Sequence, residues 1–268
     1  MDIQWLLLYF LLGGGVGVLA GLFGIGGGGV MVPVLAAMYA AQGFPPEHML
    51  HLALGTSMAA IVPTAVSSLW AHHRRGAVLW PVVARLAPGV VVGTFAATFL
   101  AARLSATPLA LFFAAFMGFV AWKMATGVAP RPGRGLPSAP ALAGVGAGIG
   151  AVSALVAIGG GSLTVPFLAW CNVRLQSAIG TSAAVGLPIA VTGALGYALG
   201  GHGGAGLPDG TIGFVYWPAT LSMAAASAFT APLGARLAHR LPVATLKRLF
   251  ALLLVALSLH MLWTVFRG

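Results

Sequence analysis

The sequence has little charge and almost no cysteine. Charged residues make up 6% of the 268 residues, against roughly 25% in an ordinary soluble domain. The single cysteine, Cys171, excludes an internal disulfide framework. With three acidic residues in total, no cluster of His, Cys, Asp and Glu has metal-ligand spacing, and no nucleophile is paired with a base. We therefore expect no cofactor, no bound metal and no enzyme activity.

The sequence also lacks a nucleotide-binding loop of the form GxxxxGKS/T, so it carries no ATP motor of its own. The formal net charge of +10 could indicate nucleic-acid binding. However, the Lys and Arg residues lie between apolar stretches, where the cytoplasmic loops of membrane proteins collect them. We expect no nucleic-acid partner. The first apolar stretch has no cationic start, so we expect a membrane segment there rather than a signal peptide.

Apolar length is what the sequence has in abundance. Apolar residues make up 59% of the chain, and eight stretches approach or exceed the roughly 20 residues that cross a bilayer. These stretches are 3–23, 49–70, 77–102, 106–125, 141–158, 176–200, 211–235 and 245–265. Two shorter stretches, 30–41 and 162–170, would cross only roughly half to two-thirds of the hydrocarbon. The sequence predicts an all-α polytopic protein embedded in the lipid bilayer.

A glycine-rich block occurs twice in the chain. The first copy reads Leu22-Phe-Gly-Ile-Gly-Gly-Gly-Gly-Val-Met-Val-Pro-Val-Leu35, and the second reads Leu155-Val-Ala-Ile-Gly-Gly-Gly-Ser-Leu-Thr-Val-Pro-Phe-Leu168. A constant offset, which for Ile25 and Ile158 is 158 − 25 = 133, relates the two copies of Ile25, Gly26, Gly27, Gly28, Val32, Pro33 and Leu35. Such a block does not favour a regular membrane helix. Its presence in two matching halves indicates a transport site between repeats.

Three shorter motifs recur in the same order. Ala53-Leu-Gly-Thr-Ser57 matches Ala178-Ile-Gly-Thr-Ser182 at an offset of 125, and Trp80-Pro81 and Arg103-Leu104 match Trp217-Pro218 and Arg240-Leu241 at an offset of 137. The chain is therefore predicted to contain a first membrane repeat, 1–125, and a second membrane repeat, 141–268. Residues 126–140 are rich in proline and glycine and are predicted to be a linker.

The charges of the loops reverse between the two halves. The loop after the third segment contains Arg74 and Arg75 in the first half, whereas its counterpart, 201–210, has no Lys or Arg. Under the positive-inside rule this reversal predicts inverted repeats of five segments each, with a cytoplasmic linker and both termini outside the cytoplasm. If each long and short pair formed one broken span, the repeats would be parallel and the reversal would be unexplained.

The glycine blocks predict an anion site. Non-helical backbone inside a membrane persists only where it packs in protein or lines a cavity. Free N–H groups at the starts of the two short helices would attract an anion without a cationic side chain. Close helix packing is the alternative role for such glycines, and we expect it for Gly13 to Gly17. The candidate substrate-binding residues are Gly26, Gly27, Gly28, Gly29, Thr56, Ser57, Gly159, Gly160, Gly161, Ser162, Gln176, Thr181 and Ser182.

Some of the polar candidates have two interpretations. The hydroxyls of Thr56 and Thr181 could contact a ligand or a backbone carbonyl one turn back. His51 lies five residues before Thr56 and could respond to protons, or it could be an interfacial histidine that faces water. Arg85 lies within an apolar stretch and could attract the anion, or its side chain could extend to the membrane interface.

At these motifs the chain resembles the sulfite exporter TauE/SafE family, also called the toluenesulfonate uptake permease family. Its pattern is a GxGGGxxxxP block followed by a GTS block, in two copies, and both copies occur here. The second block departs from the first, with Ala157 in place of Gly24 and Ser162 in place of Gly29. The resemblance implies a permease of the bacterial inner membrane that moves a small anion such as sulfite or a sulfonate.

We therefore expect a secondary transporter that works by alternating access between two pseudo-symmetric halves. Its partners would be a small anionic substrate and a coupling proton or sodium ion. Because the family that the chain resembles includes both importers and exporters, the resemblance does not determine the direction of transport. An anion channel is the alternative function.

Overall fold

The structure is a computed structural model that describes residues 3–23, 27–126, 133, 135–202, 206–238, 251–260 and 262–263. Several residues singled out in the sequence lie outside the described ranges. They are Gly24, Ile25 and the predicted site residue Gly26, together with Arg240, Leu241, Lys247 and Arg248. Residues 127–132 and 134 of the predicted linker also lie outside these ranges.

Most of the described chain is helical. The helices are α1 (Ile3–Phe23), α2 (Gly28–Ala41), α3 (Pro46–Arg74), α4 (Trp80–Arg103), α5 (Ala106–Thr126), α6 (Ala139–Val156), α7 (Gly161–Trp170), α8 (Leu175–Gly200), α9 (Trp217–Ala238) and α10 (Ala251–His260). Within the described ranges, six helices are long and apolar enough to span a membrane: α1, α3, α4, α5, α6 and α8. This finding confirms the prediction of a polytopic α-helical membrane protein.

The segment expected to be helical from residue 211 begins instead with a short hairpin. Strand β1 (Thr211–Ile212) pairs antiparallel with strand β2 (Val215–Tyr216). Gly210 and Gly213 have φ of +86° and +55°, a left-handed conformation that glycine adopts readily. These glycines turn the chain, so α9 starts six residues later than the apolar stretch predicted.

The two short helices are too short to cross the bilayer. α2 has 14 residues and α7 has 10, so at 1.5 Å per residue they are about 21 and 15 Å long. The hydrocarbon core is about 30 Å thick. Each helix begins within its glycine block, at Gly28 and at Gly161, two residues and one residue before the predicted starts at 30 and 162.

Long helices of each half pack on long helices of the other half, in two equivalent pairs. α1 packs along α9, and α4 packs along α6. In sequence order, the first helix of each half therefore packs on the fourth helical segment of the other half. At the centre α3 packs along its own counterpart, α8. Such reciprocal pairing is the contact pattern that a twofold relation produces.

The two central helices run antiparallel. A Cβ atom on Gly193, near the end of α8, would lie 3.0 Å from the Sδ atom of Met58, in the first half of α3. At the other end, a Cβ atom on Gly180, near the start of α8, would lie 2.6 Å from the carbonyl oxygen of Ala77, which follows α3. These two counterparts, α3 and α8, thus point in opposite directions.

Glycines allow the exchanged helices to approach closely. A Cβ atom on Gly13 of α1 would collide with the backbone of Met223 in α9. A Cβ atom on the equivalent glycine of α6, Gly146, would likewise collide with the carbonyl oxygen of Leu86 in α4. Small residues at such crossings allow the backbones of membrane helices to come into contact. The packing role predicted for the glycine run of α1 is confirmed.

The packing of α4 on α6 can be tested with two glycines of α6. A Cβ atom on Gly150 would overlap the carbonyl oxygen of Val90, whereas Gly148 has no described atom within 4 Å of that position. We expect Gly150→Ala to lower the free energy of unfolding by about 1–3 kcal/mol, because α4 and α6 must separate. Thermal melting in detergent measures the change. Gly148→Ala is the matched control, and equal melting of the two variants would contradict the close packing.

Candidate functional site

The two short helices begin in the same way. Gly27 precedes α2 with φ +74° and ψ −8°, and Gly160 precedes α7 with φ +76° and ψ −12°. This left-handed conformation favours glycine. The carbonyl oxygen of Gly160 accepts hydrogen bonds from the N–H groups of Leu163 and Thr164, and that of Gly27 accepts the equivalent pair. The sequence repeat is therefore also a repeat of backbone conformation.

The two glycine blocks touch each other. A Cβ atom on Gly28, the first residue of α2, would overlap the carbonyl oxygen of Ala157, so only glycine fits there. Ala157 ends α6 in a left-handed conformation, with φ +49°. α7 begins four residues later, at Gly161. The starts of α2 and α7 consequently lie within one short loop of each other.

The electrostatics of this junction favour negative charge. The first N–H groups of a helix have no partner within it, and they carry the positive end of the helix dipole. Helix starts therefore bind anions. Among the predicted residues, Gly27, Gly28, Gly29, Gly160 and Gly161 are buried at this junction, and Gly159 is half-buried.

The Gly-Thr-Ser motifs connect the two halves. Thr56 Oγ1 accepts a hydrogen bond of 3.0 Å from the N–H group of Tyr216, and Thr181 Oγ1 accepts one of 3.0 Å from the N–H group of Leu79. Tyr216 and Leu79 are 137 residues apart, and each directly precedes a Trp-Pro pair. The threonine of each half therefore holds the start of a helix of the other half.

The glycine beside each threonine makes this contact possible. A Cβ atom on Gly55 would overlap the carbonyl oxygen of Phe214, as one on Gly180 would meet that of Ala77. Phe214 and Ala77 are again 137 residues apart. We call the contact of Gly55-Thr56 with 214–216 the first clasp, and the contact of Gly180-Thr181 with 77–79 the second clasp. Each threonine oxygen accepts from a backbone N–H group of the other half, a contact that neither of the two expected roles, a ligand contact or a bond to the carbonyl one turn back, included.

Aromatic rings surround the first clasp. The hydroxyl of Tyr39 donates to Thr56 Oγ1 at 3.1 Å. The ring of Tyr39 stacks on Phe44, with 4.9 Å between the centroids, and meets Tyr9 and Tyr216 edge-on at 6.4 and 5.9 Å. Sequence reasoning missed this cluster because its members come from three distant parts of the chain.

His51 is buried, and its side chain caps α4. Its Nε2 atom lies 3.0 Å from the carbonyl oxygens of both Ala101 and Leu104. A carbonyl oxygen only accepts, so Nε2 carries the proton and donates to the last turn of α4. The alternative of a histidine that faces water is wrong, because the ring is 3% exposed and stacks on Phe214 at 4.9 Å.

The remaining polar candidates divide into buried and exposed side chains. Gln176 and Arg85 are exposed, whereas the glycine blocks are buried. Ser57 is fully buried, and its hydroxyl has no hydrogen-bond partner among the described residues. Ser182 is 3% exposed, and the Oγ atom of Ser162 is buried without a described partner. The hydroxyls of Ser57 and Ser162 are therefore buried polar groups that no described residue satisfies.

Three buried hydroxyls were missed by sequence reasoning, those of Thr94, Ser153 and Thr164. None has a hydrogen-bond partner within the described ranges. For Ser153 and Thr164 the signal was present in the repeat, because the first half has apolar residues, Ala20 and Met31, at the equivalent positions. The described residues contain no group of three or more His, Cys, Asp and Glu that could hold a metal ion.

Replacement of Thr56 tests the first clasp. Thr56→Val leaves the buried N–H group of Tyr216 and the hydroxyl of Tyr39 without an acceptor. We expect the free energy of unfolding to fall by about 1–3 kcal/mol, measured by thermal melting, whereas Thr56→Ser should retain most of it. Thr64→Val is the control, since the hydroxyl of Thr64 donates to its own helix. If Thr56→Val melted like this control, the clasp would have no energetic importance.

Comparison with known proteins identifies the family. The family model described as sulfite exporter TauE/SafE matches residues 9–261. A "Probable membrane transporter protein" of Haemophilus influenzae is 37% identical over 259 residues, which cover 96% of this chain and 98% of the relative. A relative of the same name from Xylella fastidiosa is 29% identical over 272 residues, which cover 98% and 97%.

A more distant relative, the "Probable membrane transporter protein YdhB" of Bacillus subtilis, is 25% identical over 255 residues, which cover 90% of this chain and 92% of the relative. No solved structure matches the chain. The family match covers nearly the whole length of the chain, as the resemblance of its motifs implied. The chain therefore belongs to the sulfite exporter TauE/SafE family, and it is a multi-pass membrane transporter.

Proposed function

We propose that the protein is a secondary transporter that moves a small sulfur-containing or organic anion, such as sulfite or a sulfonate, across the bacterial inner membrane by alternating access. The observation that carries this proposal is the meeting of the two glycine blocks. Each block starts a short helix after a left-handed glycine, Gly27 or Gly160. The positive ends of two helix dipoles then act on one centre inside the protein.

The proposed anion contacts are backbone N–H groups and hydroxyls. The N–H groups are those of Gly28 and Gly29 at the start of α2, and of Gly161 and Ser162 at the start of α7. The hydroxyls of Ser57 and Ser162 are buried without described partners. Thr56 and Thr181 already accept backbone N–H groups. In this proposal their oxygen atoms join the halves, and their O–H groups remain donors for the anion.

The arrangement of the helices supports alternating access. α3 and α8 are antiparallel counterparts, and the outer helices are exchanged between the halves. Inverted repeats provide two equivalent arrangements in which the same centre opens to opposite sides. We propose that the halves rock against each other, with the linker in the cytoplasm and both termini outside it.

A proton or a sodium ion is the proposed coupling partner. His51 stacks on Phe214, which belongs to the first clasp. Its Nε2 atom donates to the end of α4, while Nδ1 has no hydrogen-bond partner within the described chain. In this proposal Nδ1 is the ring nitrogen that the coupling proton would occupy. The exposed position of Arg85 favours extension to the membrane interface over contact with the anion.

The inverted orientation predicts opposite sides for two equivalent loops. In a Cys171→Ala background, Arg75→Cys after α3 and Asp209→Cys after α8 each introduce the only cysteine, at an exposed position. We expect a membrane-impermeant maleimide to label the cysteine at position 209, but not that at 75, in intact spheroplasts. Both should react after permeabilisation. Labelling of both or of neither in intact spheroplasts would favour parallel repeats.

Transport itself is tested in liposomes. We expect purified protein to take up labelled sulfite or ethanesulfonate in a saturable manner. Gly160→Ala should abolish uptake, because its Cβ atom would lie 2.6 Å from Ile189 and disturb the start of α7. Gly43→Ala is the matched control, since Gly43 also has a positive φ, +74°, but has open space around it. Both variants must remain monodisperse.

Two other results would contradict the proposal. Equal flux of unrelated anions and neutral solutes would exclude a specific permease. The alternative function, an anion channel, would give single-molecule currents in a planar bilayer. Their ion flux would lie far above the turnover rate of a transporter.

A further inference from the structure

The two glycine blocks share their backbone but differ in hydroxyl groups. α7 begins Gly161-Ser-Leu-Thr164, whereas α2 begins Gly28-Gly-Val-Met31. Ser162 and Thr164 thus stand where α2 has a glycine and a methionine. The repeat conserves the geometry of the helix start and adds polar side chains on one side only.

The added hydroxyls are buried and unpaired. Thr164 is 0% exposed, and neither its Oγ1 atom nor the Oγ atom of Ser162 has a hydrogen-bond partner in the described part of the chain. Burial of an unpaired hydroxyl destabilises a protein, so such a group calls for an explanation. Thr164 Oγ1 points back toward the start of α7, since a Cβ atom on Gly160 would lie 3.5 Å from it.

The equivalent region of the first half is apolar. A Cβ atom on Gly29 would lie 3.0 Å from Met117 Sδ and 3.5 Å from Leu254 Cδ2. A Cβ atom on the neighbouring residue, Gly28, would lie 3.2 Å from Ile61 Cδ1. Methyl and thioether groups donate no hydrogen bond to an oxygen atom. Among the described atoms nearest to this start, the donors to an anion are therefore backbone N–H groups.

On the basis of the proposed function, we infer that Thr164 and Ser162 donate hydrogen bonds to the oxygen atoms of the transported anion. The charged head of the substrate then receives its side-chain hydrogen bonds on the side of α7, and its remainder lies beside the apolar side chains next to the start of α2. An anion with its oxygens at one end fits this arrangement. Sulfate fits it poorly, because its four oxygens point in all directions and some would face Met117 and Leu254.

Binding measurements on the full-length protein in detergent test this inference. The probes are sulfite, methanesulfonate and sulfate, titrated calorimetrically. Thr164→Val keeps the shape of the side chain and removes its hydroxyl. We expect it to weaken the binding of methanesulfonate about tenfold, as loss of one hydrogen bond to a charged group does. The melting temperature without anion should be unchanged or higher, because an unpaired buried hydroxyl is gone.

Two further variants complete the set. Ser162→Ala should weaken methanesulfonate binding in the same direction. Thr64→Val should leave the affinity unchanged, because the hydroxyl of Thr64 is already bonded to its own helix. Sulfate should bind more weakly than methanesulfonate to the unaltered protein.

The outcomes separate this inference from the proposed function. If the unaltered protein binds methanesulfonate or sulfite, but Thr164→Val and Ser162→Ala bind equally well, the inference is overturned and the transporter proposal stands. A lower melting temperature of Thr164→Val without anion would reveal a structural hydroxyl and overturn it too. Tight sulfate binding would overturn the orientation of the substrate. If none of the three probes binds, both proposals fall.

Discussion

The fold depends on a hydrogen bond that each half donates to the other. The N–H group just before each Trp-Pro pair would be unpaired inside the protein, and a threonine of the opposite half accepts it. These two bonds fix the starts of α4 and α9 relative to α3 and α8. Because α1 packs on α9 and α6 packs on α4, the position of both glycine blocks follows from the same two contacts.

The sequence predicted what depends on local composition and on repetition. The long apolar stretches predicted the membrane helices, and the glycine blocks predicted the two short helices, which begin at Gly28 and Gly161. The contacts between halves could not be predicted. The partners in the two clasps are 102 and 160 residues apart, and no periodicity in the chain links them. The cap that His51 forms on α4 was missed for the same reason, since its partners lie 50 and 53 residues away.

The repeat preserves backbone contacts and varies the side chains around them. Tyr9 and Tyr216 of the aromatic cluster correspond to Leu142 and Leu79 at the second clasp. Aromatic pairs contribute roughly 0.5–1.5 kcal/mol beyond the area they bury, so the first clasp is the more firmly packed of the two. The same rule holds at the glycine blocks, where Ser162 and Thr164 give α7 a polar start. A pseudo-symmetric scaffold thereby carries an asymmetric interior.

The exchange of helices between halves also sets an order for biosynthesis. α6 leaves the ribosome when its partner, α4, is already in the membrane. α1 has no such partner, because α9 begins 194 residues after α1 ends, as 217 − 23 shows. At a synthesis rate of about 5–20 residues per second, α9 begins to be made roughly 10–40 s after α1 is complete. During this time the glycine face of α1 lacks α9 as its packing partner. The pair of α1 and α9 therefore forms late, and a chain cut short before α9 leaves its first helix without this partner.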